Sequence, residues 1–103
     1  MQPPANQRAV RRHNLGIVLR HVVERTQPAG ALSEEIRKVG GPDLVSVEIF
    51  DRYEGRGIPE RRVSLAFRLV FQRADRTLTD AEVNRVIDRI VAALASRFGA
   101  ELR

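Results

Sequence analysis

Arg62, Ser64 and Arg68 fall at even spacings in the run RVSLAFRLVF, and Arg20 sits inside a second apolar run, LGIVLRHVV. Side chains two apart on a strand share a face, so these three residues stand on one side while Val63, Leu65, Phe67, Leu69 and Phe71 stand on the other. Such a row offers recognition of anions and flat rings, because a guanidinium forks onto phosphate and lies flat against an unstacked base. Phe50, at the end of a third apolar run, adds a ring able to stack on a base for about 1 to 3 kcal/mol. Arg11 and Arg12, with Arg8, precede the first run and read equally well as a basic arm for a phosphate backbone and as a flexible terminus. The segment Glu54 to Arg62 holds Arg56, Arg61 and Arg62 beside Gly55 and Gly57, which suits closure on a phosphate as well as a solvated loop.

Each of these residues also has a plainer reading. Arg68 can pair across strands with Glu48, and Tyr53 is expected to pack against the connection that follows it rather than offer its ring. Asp51 could accept from a base edge but is expected to cap the turn after its strand. Nothing in the chain assembles a catalyst: no nucleophile stands beside a base, and there is no glycine-rich phosphate loop. His13 and His21 are eight residues apart with no cysteine and no acid at ligand spacing, so neither a metal nor another cofactor is expected.

The elements that must hold these side chains follow from periodicity. Leu15 to Val23 alternates and carries little polarity, as a central strand does. Thr26, Gln27 and Pro28 supply a hydroxyl cap and a proline tolerated in a first turn, and Leu32, Ile36 and Val39 then mark a short amphipathic helix that Gly40 and Gly41 stop. Val45 to Phe71 reads as a hairpin with a long connection, expected at the centre of the sheet, with Val45, Val47 and Ile49 turned to the core. After the polar stretch QRADRT, Thr79 and Glu82 form a capping box. The stripe Val83, Val86, Ile87, Ile90, Val91, Leu94 and Phe98 runs on to Gly99, leaving residues for a short last strand. The order is βαββαβ: an α+β, ferredoxin-like fold in which two helices cover one face of a four-stranded antiparallel sheet and leave the other open.

A chain of 103 residues allows one domain, expected over residues 10–103 after a flexible leader or linker remnant at 1–9. The absence of cysteine suits the cytosol, and no apolar run is long enough for a membrane span. The net charge of +5 comes from 17 arginines and Lys38 against 13 acids. That balance favours a polyanion, RNA first and DNA not expected, although an arginine-rich codon bias would give the same count on an inert surface.

Several phrases carry more than a fold. Phe50, Asp51, Tyr53 and Gly55 end one strand; Ser64, Leu65 and Ala66 lie in the next; Arg76, Thr77, Leu78, Thr79, Asp80 and Glu82 start the long helix; and Leu102 and Arg103 close the chain. Together they resemble the C-terminal ferredoxin-fold anticodon-binding domain of the bacterial phenylalanyl-tRNA synthetase β subunit, over about Val10 to Arg103. Where that family opens its first strand with Arg-Asp-Leu, this chain has Arg12, His13, Asn14 and Leu15. The resemblance implies a non-catalytic module that grips the anticodon stem-loop of tRNA for phenylalanine, with the rest of the β subunit and the α subunit as partners and the chemistry elsewhere. On that reading Arg11, Arg12, Arg20, Phe50, Arg62, Ser64 and Arg68 are the expected RNA contacts. The alternative is a ferredoxin-like interaction or regulatory domain that self-associates or binds a small metabolite.

Overall fold

The computed structural model describes residues 14–73 and 75–102. Six elements follow in order: β1 (Asn14–Glu24), α1 (Ala29–Gly40), β2 (Leu44–Tyr53), β3 (Arg62–Gln72), α2 (Asp80–Phe98) and β4 (Glu101–Leu102). The strands form one antiparallel sheet in the order β2-β3-β1-β4. β1 and β3 pair over their whole lengths, from Asn14 opposite Gln72 to Glu24 opposite Arg62. These two strands are the sheet's centre. The expectation that the whole β2–β3 hairpin lies there is corrected, since β2 is an edge strand.

The core forms where the apolar sides of strands and helices meet. Val63, Leu65, Phe67, Leu69 and Phe71 of β3, with Leu19 and Val23 of β1, are buried against Leu32 and Ile36 of α1 and Val83, Ile90 and Leu94 of α2. All seven strand residues belong to one alternation, so both helices cover the same face. An ion pair between Arg97 and Glu35, 3.3 Å, spans the two helices.

The helix ends differ in kind. At α2 the Thr79 hydroxyl accepts from the Glu82 amide at 3.2 Å while the Glu82 carboxylate accepts from the Thr79 amide at 2.9 Å. Gly99 ends the helix in the left-handed region, φ 64°, returning its amide to the Ala95 carbonyl. α1 has no such start. Its N-cap is Pro28, without a side-chain cap bond, so the expected Thr26 hydroxyl cap is corrected. Gly40 is the last helical residue and sits under Leu44, whose side chain would collide with any Cβ there; Gly41, at φ 77°, makes the stop.

Two bulges in β2 displace the alternation read from its sequence. Leu44 faces Phe71 and Ser46 faces Val70, which makes Val45 the extra residue. Val45 is therefore 55% exposed, and its expected place in the core is corrected. The second bulge, between Ile49 and Asp51, is taken up below. On the outer edge of β2, Arg37 of α1 donates to the Val47 carbonyl at 3.0 Å, occupying one of the ladder groups that an edge strand leaves open. No helix among the described residues is long and apolar enough to cross a membrane.

Candidate nucleic-acid interface

The face away from the helices is built from the other alternation of the same strands. β1 contributes Val18, Arg20, Val22 and Glu24; β3 contributes Arg62, Ser64, Ala66, Arg68 and Val70. Arg20 lies opposite Ala66, and Asp51 of β2 lies opposite Ala66 from the other side. The two charges meet at 3.6 Å across that small residue, which accounts for Ala66 being buried on a face that neither described helix covers. Ser64 is buried in the same way between Val22 and Tyr53 and takes part in a polar interaction of its own. Its expected place on this face holds, but as part of the floor.

The three expected arginines are brought to this face, each with an acid. Arg68 pairs with Glu48 at 3.3 Å, and Arg62 reaches Glu101 at 2.9 Å and Glu24 at 3.4 Å. A row of arginines offering recognition of anions was expected on this face. The face is instead balanced, with Glu24, Glu48 and Asp51 matching Arg20, Arg62 and Arg68. Asp51 is also corrected from its expected role as a turn cap, because it lies within the ladder and engages Arg20. Arg11 and Arg12 lie outside the described residues.

The second bulge explains how the aromatic joins the arginines. Ile49 faces Phe67 and Asp51 faces Ala66, so two steps on β2 match one on β3 and Phe50 is the extra residue. Without it, Asp51 would turn toward the core. With it, Phe50 and Asp51 both belong to the open side, and the Arg68 guanidinium carbon lies 4.5 Å from the centre of the Phe50 ring. Phe50 is 39% exposed, as is suitable for a platform that is half built into the sheet. The pairing of Arg68 with Glu48 was expected, whereas that of Arg20 with Asp51 was missed; the signal was Asp51 itself, whose strict alternation would have buried a charge.

At the end of the sheet where β2 passes to β3, the Tyr53 hydroxyl donates to the Arg56 carbonyl at 2.9 Å, so the tyrosine packs against its own loop as expected. Arg76 donates to both carboxylate oxygens of Glu82, and these bonds, with those from Thr79, hold the Glu82 carboxyl far below the usual range. That cluster fixes the start of α2, behind the sheet. His21 of β1 is buried, neither ring nitrogen having a hydrogen-bond partner among the described residues, and desolvation lowers its pKa. Among the described residues no group of three or more histidines, cysteines or acids is placed to hold a metal ion.

Comparison with known proteins agrees with this geometry. A family profile described as "Ferredoxin-fold anticodon binding domain" matches residues 16–103. The chain is 52% identical over 82 residues to the phenylalanine–tRNA ligase beta subunit of Moorella thermoacetica, covering 80% of this chain and 10% of that protein. It is 50% identical over 82 residues to the same subunit of Salinibacter ruber, again 80% and 10%, and 49% identical over 74 residues to that of a Synechococcus strain, 72% and 9%. It thus spans about a tenth of the relatives it matches. With helices on one face, a sheet ordered β2-β3-β1-β4 and a profile match through all six elements, the chain belongs to the ferredoxin-fold anticodon-binding domain family.

Proposed function

We propose that this chain is a tRNA-binding module that holds the anticodon stem-loop of tRNA for phenylalanine against its open sheet face, as part of a phenylalanine–tRNA ligase whose chemistry lies in other regions. The observation that carries the proposal is the Phe50–Arg68 stack on a sheet face that no helix covers, in a chain of this family. An unpaired loop base stacks on the ring or on the guanidinium plane, while Glu48 and Asp51, each at the edge of that platform, accept hydrogen bonds from base amino groups. Arg20 and Arg62 line the same face, and Ser64 forms its floor. Arg11 and Arg12 are proposed as a basic arm for the stem. The remaining β-subunit sequence and the α subunit are the proposed protein partners, consistent with the names of the relatives.

Titration with a labelled anticodon stem-loop at two ionic strengths tests this reading. Binding is expected to favour that hairpin over one with a scrambled loop, and to weaken with salt by about 0.7 in log K for each phosphate neutralised on a single strand. A chain that binds neither hairpin and self-associates instead contradicts it.

A further inference from the structure

The charge balance of the open face raises the question of what holds the backbone of a bound strand. Arg20, Arg62 and Arg68 already engage carboxylates, so a polyanion laid over them releases few counterions. Unmatched positive charge lies elsewhere. Arg56 and Arg61, on the connection between β2 and β3, are exposed and make no ion pair among the described residues. Lys38, Arg85 and Arg89, also exposed and unpaired among the described residues, are on the helices, behind the sheet. Arg37 lies at the outer edge of β2 with its guanidinium on the Val47 carbonyl; among the described residues with neither an ion pair nor such a bond, the loop pair adjoins the face proposed to bind RNA.

That loop borders a cleft of about 450 Å³ lined by Arg25, Arg61 and Arg62 with Glu54 and Glu60 among its walls. Glu54 is shared between Arg25 at 3.4 Å and Arg52 at 3.5 Å, so the charges of the cleft and its neighbour left without an ion pair among the described residues are Arg56 and Arg61 against Glu60. The cleft is anchored. The Arg25 amide donates to the Arg61 carbonyl at 2.8 Å, tying the loop to the end of β1, and Arg61 takes a left-handed backbone, φ 68°, which is uncommon for a residue with a Cβ. Arg62 belongs both to this cleft and to the open face, so the cleft begins where the row of bases would end.

We propose that this cleft is a phosphate-binding site that takes the backbone of an RNA strand whose bases lie on the open face, with Arg61 and Arg56 supplying the charge the face lacks. It rests on the RNA-binding reading above and divides the work: the face reads bases, the loop holds phosphodiesters.

Two measurements on the full chain test it. On titration with inorganic pyrophosphate, backbone amide shifts are expected to cluster between Gly55 and Arg62; shifts confined to the helices, or none, overturn the site. Arg56→Gln and Arg61→Gln, which remove the charge but keep a polar side chain, are each expected to lower the salt slope of hairpin binding by about 0.7 and to weaken matched and scrambled loops alike. Unchanged slopes in both variants overturn the proposal even if the wild-type chain binds the hairpin well. A wild-type chain that shifts with pyrophosphate at this loop but binds no hairpin refutes the RNA reading and leaves the cleft an anion site of another use.

Discussion

At the scale of single residues, the Phe50–Arg68–Glu48 group is preformed and held weakly. A cation over an exposed ring contributes about 0.5 to 1 kcal/mol, and an exposed ion pair about 0 to 1 kcal/mol, so a base can insert or extend the stack at small cost. Both Phe50 and Arg68 are exposed and contribute little to the core. Phe50→Ala and Arg68→Ala are therefore expected to weaken stem-loop binding by about 1 to 3 kcal/mol while leaving the thermal midpoint nearly unchanged, readable by fluorescence titration beside a melting curve. His21 acts in the opposite sense, on stability rather than binding. Its pKa is lowered from 6.5 in the folded chain by burial, so the unfolded chain takes the proton first as pH falls. Stability is expected to be fully present above pH 6.5 and to decline below it, and His21→Leu to remove most of the difference between urea midpoints at about pH 7.5 and pH 5.5. The lowered carboxyls of Asp75 and Glu82 act in a separate window, below their ordinary values of 3.8 and 4.5.

At the scale of elements, periodicity was a good guide wherever one face of a segment is buried and uninterrupted. The stripe from Val83 to Phe98 and the odd positions of β3 needed only counting, and the Thr79–Glu82 box gave the start of α2 directly. Thr79→Ala is expected to cost about 1 kcal/mol, seen as a lower denaturation midpoint with an unchanged m-value. Phe67, wholly buried beneath both helices' side of β3, is expected to cost about 3 to 5 kcal/mol as Phe67→Ala, measured the same way. β2 was less legible because a bulge changes the alternation by one without changing the composition. Val45 was assigned by extrapolating through such a point, and Asp51 was placed in the turn beyond the strand when the second bulge keeps it in the ladder. The pairing of Arg68 with Glu48 could be anticipated from the sequence, but that of Arg20 with Asp51 could not, since the two meet only through the pairing of both strands with β3.

At the scale of the whole molecule, the order βαββαβ was enough to say that one sheet face is covered and the other open, because two helices of this length must bury their stripes against the same apolar alternation. What the order could not give was the charge of the open face. Seventeen arginines in the sequence suggested a basic surface, yet Arg20, Arg62 and Arg68 on the open face are each matched by an acid, and among the described residues the arginines without an ion pair lie at the loop, at the edge of β2 and behind the sheet. On the proposed function, specific recognition is expected to rest on rings and hydrogen bonds at the face more than on net charge there. The most direct measurement is a map of backbone amide shifts as the isotope-labelled chain is titrated with the anticodon stem-loop. Shifts are expected at Val18, Arg20, Phe50, Asp51 and Arg68, with the outer surfaces of α1 and α2 silent; shifts confined to the helices, with the open face unmoved, would contradict the account.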